Sequence, residues 1–441
     1  MSHNVEGITR PVKPPSTRRT CTPAAAGDSS SPMPAATGTC SRAWPSTGAR
    51  EKQKKGREMM GERDPNTRMR AREAGIILGT LPPGTTNSIA DVAGVRVGHT
   101  TLIRGNGALV RGVGPVRTGV TAILPHDDDL FRLKVPAAAS VFNGFGKTIG
   151  LVQLAELGQL ETPILLTNTL NVGRVADALV AFMVERNPAI GVTTGTVNPV
   201  VCECNDGFLN DIGGRHVGEQ EVRAALTVAP GTPVLEGTVG AGTGMTTYCF
   251  AGGIGTASRC LSPAQGGYTL GALVQSNFGR CGDLIIGGVP VGRELEEQRQ
   301  KRVALHVGQE PRREQGSIIV ILATDAPLDA RQLGRLARRV PLGLARTGTS
   351  GGHGSGDLAI AFSTADRIPH DAGPLVRSAQ VLNEQNPAID GLFAAVVEAT
   401  EEAVINALCT AHSMDGRDNH WAQALSLVET LAILKRYGRI Q

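Results

Sequence analysis

From Ile76 onward the chain is a series of short apolar runs broken by glycine and proline, with helical patterns between them. Val95–Val97, Gly119–Leu124, Ala137–Phe142, Pro163–Leu166, Leu270–Gln275, Ser317–Ala323 and Asp357–Phe362 read as strands. Ile318–Leu322 is apolar at every position, so both of its faces should be covered. Asp177–Arg186 spaces its apolar residues at helical intervals and stops at Asn187-Pro188. Leu328–Val340 is amphipathic and ends at Pro341, and two longer helices, Ile389–Leu408 and Trp421–Lys435, close the chain. Strands interleaved with helices, the most apolar strands central, predict an α/β fold of sheets covered by helices in layers. One segment departs from that scheme. Glu294–Gln315 is charged, carries Pro311 and lies directly before the most hydrophobic strand, which predicts a solvated, mobile loop open to cleavage.

The first 70 residues differ in kind. Pro11–Ser46 is built of Pro, Ser, Thr, Ala, Gly and Arg with almost no large aliphatic residue, too little to offset the entropy of ordering. Residues 1–70 hold 13 of the 44 basic side chains and 6 of the 40 acidic ones, which leaves the remainder of the chain at a net charge of −3. They read as a disordered basic leader outside the native protein, with Met69 or a nearby methionine as the initiator. Their arginine and serine content resembles a transit peptide, but Glu6 and Asp28 interrupt it and no apolar secretion core is present.

Composition narrows the function classes. The 56 glycines have no Gly-X-Y period, which excludes collagen. Aromatics at 3% leave little for base stacking, and the body has no broad basic face, so no nucleic-acid partner is expected. No run reaches 18 apolar residues, so no membrane partner is expected either. The eight cysteines read as scattered small hydrophobes, which favours the cytoplasm over the periplasm. Cys202-x-Cys204 lacks a second ligand pair, so no metal is predicted.

Several segments offer chemistry. Gly146-Lys147-Thr148 follows a strand, but the position where a phosphate loop needs its first glycine is Val141. The acids of His126-Asp127-Asp128-Asp129 cannot all face one ion and read as a solvated turn. Glu203, Asn205 and Asp206 follow an apolar strand and either receive a substrate ammonium or cap a turn. Gly316-Ser317 joins the charged loop to the buried strand. It is either ordinary turn chemistry or a self-cleavage junction, at which cutting would leave Ser317 with its own α-amine as base, of reference pKa about 7.7–8.0. Thr347–Asp357 is a small-residue loop that places Ser355 and Asp357 on one side of an extended chain. His353 there invites a Ser-His-Asp reading, without the Gly-x-Ser-x-Gly elbow.

These segments together resemble the L-aminopeptidase/D-amidase-esterase and β-peptidyl aminopeptidase family. The matching stretches are Asn87–Thr100, Gly119–Leu124, Asn143–Gly146, Glu203–Ile212, Gly242–Met245, Gly252–Arg259, Leu273–Gly279, Gly316–Leu328 and Thr347–Asp357, in order over roughly residues 72–440. The resemblance implies a four-layer αββα sandwich like that of N-terminal-nucleophile hydrolases, reached by a different connectivity. It implies a single hydrolase domain cut between Gly316 and Ser317, with 71–316 as the α-chain and 317–441 as the β-chain. Ser317 is then the nucleophile, Ser355 and Asp357 its supporting pair, and Asn277 the oxyanion donor. Asp357 stands where relatives carry the longer glutamate. Glu203 falls on the acid that holds the substrate's amino group, and the family's active-site tyrosine falls on His216, with Phe208 the other counterpart. The implied activity is removal of N-terminal residues from small peptides, amides or esters (D- and β-residues included) with no cofactor, by a tetramer of αβ pairs. Two alternatives stand beside it: a non-catalytic small-molecule-binding homologue, and an acyl transferase like ornithine acetyltransferase, whose nucleophile is normally threonine.

Overall fold

A computed structural model describes residues 67–303, 316–371 and 373–441. The leader, except for its last four residues, and the 304–315 part of the charged segment therefore lie outside the described residues. Arg68 donates to the carbonyls of Leu425 and Leu408, and Met69 packs against the core, so the folded body begins a little before residue 71.

Among the described residues two sheets hold eleven strands, the nine longest numbered β1–β9; of the two short ones, Gln159–Leu160 pairs with the third and Ile368–Pro369 forms an edge of the larger sheet. The smaller sheet contains β1 (Arg96–Arg104), β2 (Val116–Leu124), β4 (Ile164–Asn168) and β5 (Val200–Cys204), in that spatial order, with β4 and β5 parallel. The larger runs from the short Ile368–Pro369 strand through β3 (Leu133–Gly144), β9 (Gly356–Ser363), β8 (Ser317–Thr324) and β7 (Thr269–Asn277) to β6 (Gly253–Cys260). Within it only β8 and β9 are parallel.

The alternation of side chains along β8 shows how the layers stack. Ile319, Ile321 and Ala323 pack with Val97, Ile164, Leu166, Val200 and Cys202 of the smaller sheet. Ile318, Val320 and Leu322 face the other way, onto helices α5 (Ala330–Ala337) and α7 (Ala388–Thr410). The smaller sheet's outer face, through Val120, Ala122, Leu165 and Val201, is covered by α2 (Val172–Arg186) and α3 (Glu219–Leu226). Helix, sheet, sheet and helix thus follow one another, the αββα sandwich expected from the resemblance. All eight residues of β8 are buried, as its unbroken apolar run requires.

Four elements differ from the sequence reading. Leu328–Val340 divides into α5 and α6 (Val340–Ala345), because Pro341 fits the first turn of a new helix better than the end of an old one. The start of the charged segment is helix α4 (Val291–Val303), not loop. Its Glu, Gln, Arg and Lys residues are good helix formers, and buried Val291 and Leu295 anchor it to the core. Trp421–Ala422 pairs with Met414–Asp415 as a short ribbon, and the last helix, α8 (Leu427–Arg436), begins only after its Ser426 cap. Strand β6 was hidden by its glycines, which close neighbours demand: a Cβ at Gly255 would sit 1.9 Å from the Ala403 carbonyl of α7, and one at Gly253 2.0 Å from the Gly237 carbonyl. The cysteines also need correction, since Cys249 and Cys281 form a disulfide. That pair removes the argument from cysteine usage for a reducing compartment.

Candidate active site

Where the larger sheet meets the loops of the smaller one lies a cleft of about 1130 Å³. Ser317 and Asn277 both line it, and they are direct cross-strand partners in the β7–β8 ladder. The period of two puts Asn277 on the same inter-sheet face as Leu273, and Ser317 on that of Ile319. Their chemistry is therefore presented by strand register.

Ser317 is buried, with its Oγ accepting from the Gly356 N–H at 3.2 Å across the parallel β8–β9 pair. The same N–H points to the Gly316 carbonyl at 3.3 Å. Gly316 is required here by packing: a Cβ would lie 2.1 Å from the Asn277 carbonyl oxygen. Behind this junction Ser355 Oγ donates to Asp357 Oδ1 at 2.5 Å, and the same oxygen accepts the Ile318 N–H at 3.2 Å. The shorter aspartate thus reaches both Ser355 and the backbone immediately after Ser317. Cys204 is also close, its thiol donating to the carbonyls of Ser317 and Gln275. Complete burial pushes its pKa well above the ordinary thiol value, so it stays protonated and is no rival nucleophile.

Asn277 is oriented by its network. The Thr246 N–H at 2.8 Å identifies Oδ1, and Nδ2 donates to the Asn205 carbonyl at 2.9 Å. An amide nitrogen has two hydrogens. One is used, and the other has no acceptor among the described residues.

Glu203 is the one carboxylate among the described residues on the cleft wall. It is buried, its Oε1 taking the Lys147 N–H at 2.9 Å and its Oε2 the Thr169 hydroxyl. No basic side chain among the described residues forms an ion pair with it, so its carboxyl group faces the cleft without a direct ion-pair partner. Its two neighbours take other parts. Asn205 caps the turn through the Gly207 N–H and lends its carbonyl to Asn277. Asp206 does not line the cleft. It is fully buried, with Oδ1 bonded to Asn210 and Oδ2 unpartnered, and burial pushes its pKa up to about 7.

His216 is not brought to the cleft. Its Nε2 lies 3.0 Å from Asp211 Oδ2, held by the 3-10 turn after Asp211. Phe208, the other counterpart, does line the wall. His353 lines it as well, but Ser355 is bonded to Asp357, so no Ser-His-Asp relay forms. Sequence reasoning missed the Gly356 N–H, the Lys147 N–H and Thr169 that hold Glu203, and the cleft residues Arg417 and His420. Gly356 lies in the matched stretch Thr347–Asp357 and Lys147 directly follows the stretch Asn143–Gly146; the others have no local signal. Among the described residues no cluster of three His, Cys, Asp or Glu could hold a metal.

A serine at the head of a central strand, facing inward between two sheets that helices cover on both sides, defines an N-terminal-nucleophile type of hydrolase. The model of peptidase family S58 matches residues 87–422. The β-peptidyl aminopeptidase BapA of Sphingosinicella microcystinivorans is 42% identical over 377 residues, covering 84% of this chain and 93% of BapA. Among solved structures, the PH0078 protein from Pyrococcus horikoshii OT3 is 52% identical with a TM-score of 0.78, over 84% of this chain and all of that one. The L-aminopeptidase D-Ala-esterase/amidase of Ochrobactrum anthropi, described as a prototype for the serine aminopeptidases and a variant of the Ntn hydrolase fold, is 41% identical. Its TM-score is 0.74, over 84% of this chain and 99% of its own. The chain belongs to peptidase family S58. Its activity is that of a serine aminopeptidase, and the non-catalytic and acetyltransferase alternatives are not favoured.

Proposed function

We propose that the chain cuts itself between Gly316 and Ser317 and then removes N-terminal residues, β-residues included, from short peptides, amides or esters through an acyl-enzyme on Ser317. The observation that carries this reading is the shared Gly356 N–H, which points to both the Ser317 Oγ and the Gly316 carbonyl.

In the first reaction Ser317 Oγ attacks the Gly316 carbonyl carbon, and the developing oxyanion already has the Gly356 N–H as a donor. The Gly316–Ser317 C–N bond breaks, the hydroxyl proton passes to the leaving amine, and water hydrolyses the resulting ester. The Ser355–Asp357 pair sits against the backbone that must shift and helps relay these protons. The freed α-amine then serves as the base that the hydroxyl lacked.

In the second reaction Glu203 takes the substrate's ammonium as its ion-pair partner, which admits an N-terminal residue and excludes internal bonds. Ser317 Oγ adds to that residue's carbonyl while its proton moves to the α-amine. The remaining Asn277 Nδ2 hydrogen supports the oxyanion, the leaving amine takes the proton, and water releases the acid. A tetramer of αβ pairs and a cytoplasmic setting belong to the same reading. Light scattering on a sizing column checks the first, and fractionation of cells the second.

The test is Ser317→Ala. The variant is expected to stay one chain and to release no p-nitroaniline from the L-alanyl, D-alanyl or β-alanyl anilides. Maturation or anilide cleavage by the variant contradicts the reading.

A further inference from the structure

The cleft carries charge of both signs on opposite supports. Glu203 rests on β5, while Arg417 reaches the cleft from a turn in the C-terminal ribbon. That turn is built to hold one conformation. Asp418 and Asn419 adopt the left-handed region, at φ 54° and 60°. The Arg417 N–H donates to the Leu209 carbonyl at 2.9 Å, and His420 Nδ1 donates to that of Phe208 at 2.7 Å while its ring stacks on Phe208. The turn is thereby fastened to the Asn205–Phe208 loop, the same loop whose Asn205 carbonyl orients Asn277.

The guanidinium is aimed by two of its five N–H groups. Nε donates to the Gly207 carbonyl at 2.7 Å and Nη1 to Asp418 Oδ2 at 2.7 Å. Asp418 is itself fixed from the far side by the Leu109 N–H at 2.8 Å. Nη2 has no partner among the described residues. With Nε engaged and Nη1 already ion-paired to Asp418, the two Nη2 hydrogens are left to offer an acceptor in the cleft, and a carboxylate oxygen suits them.

We propose that Arg417 binds the free C-terminal carboxylate of the substrate, so that the enzyme favours short zwitterionic peptides over the same peptides with a blocked C-terminus. This rests on the reading of Glu203 as the ammonium anchor and Ser317 as the nucleophile. The two charged side chains then grip the two termini of one small molecule, with the scissile carbonyl between them. A peptide amide or an anilide keeps the Glu203 contact and forfeits the other.

The experiment compares matured wild type with Arg417→Met and Arg417→Lys on three substrates. These are β-alanyl-alanyl-alanine, its C-terminal amide, and β-alanyl p-nitroanilide. For the wild type, kcat/KM is expected to favour the free acid over the amide by about tenfold, carried by KM, the scale of one charge-assisted hydrogen bond. The preference should fall to near one in Arg417→Met and be partly kept in Arg417→Lys. A wild type without the preference overturns the proposal, and so does an Arg417→Met variant that slows acid and amide in equal proportion. Loss of anilide cleavage in the wild type would instead defeat the Ser317 reading itself.

Discussion

The cleft joins two regions that hold their side chains in different ways. Ser317, Asn277 and Asp357 sit on β8, β7 and β9, where ladder register fixes each against its neighbour and burial is nearly complete. Phe208, His353, Arg417 and His420 sit on loops outside the ladders, positioned by side-chain and turn hydrogen bonds and by ring contacts. Bond-breaking needs alignment within a few tenths of an ångström, which strands supply. Recognition of varied substrates tolerates the looser support of loops. Substitutions in the first region should therefore act on kcat, and those in the second on KM and substrate preference.

Ser317→Ala marks the extreme of the strand region, since it removes the reaction itself. Next in size is the footing of the strands. Arg259, wholly buried on β6, pairs with Glu398 at 3.0 Å and Glu402 at 2.7 Å on α7. Glu402 also pairs with Arg72 at 2.8 Å, so Glu402→Ala leaves two guanidinium groups to the single carboxylate of Glu398, and calorimetry should show a loss of about 3–5 kcal/mol. If the folded variant kept wild-type kcat, sheet rigidity would not be what aligns the site. Asn277→Ala removes a donor without touching the fold's footing, and steady-state kinetics should show kcat lowered by about 10²–10³, or about 2.7–4 kcal/mol. A rise in KM alone would place Asn277 in recognition and blur the division.

The smallest effect on catalysis concerns the base of the loop region, where the change is in stability. Burial raises the Asp206 pKa from 3.8 to about 7, so in that interval the folded state keeps a proton that the unfolded chain has lost. Stability conferred at low pH should therefore decline as pH rises through this window and level off above it. Asp206→Asn keeps the shape and removes the decline, so its advantage over wild type should grow from pH 4 to pH 7, as followed by urea unfolding. Part of the slope will persist, because Glu236 is also raised by burial to about 7. An unchanged pH profile would show that Asp206 is not the group that titrates.

How far the sequence could be read follows the same division. Strands β7, β8 and β9 were legible because a doubly covered strand must be apolar throughout, and the helices because their spacing is local. Strand β6 was not, since its Gly255 answers to Ala403, 148 positions later, and α4 was not, since its polar surface imitates a loop. At the site, residues picked from continuous stretches do come together: Ser317, Asn277 and Glu203 line the cleft, and Ser355 with Asp357 lies beside Ser317. Arg417 escaped because its meaning depends on Gly207, 210 positions earlier. His216 was drawn in by its place beside a matched stretch, yet the turn after Asp211 directs its ring to that carboxylate and away from the cleft. Asp206 met the opposite fate from Glu203, three residues before it, because β5 ends between them and the period-two alternation that could have been applied ends with it.

All of this depends on the chain opening at one peptide bond. N-terminal sequencing of purified wild-type protein, run beside its intact mass, tests that directly. The account predicts a second N-terminus reading Ser-Ile-Ile-Val from Ser317 and the loss of any intact chain from the active fraction. A fully active protein in which that terminus is absent and the Gly316–Ser317 bond is whole would contradict it.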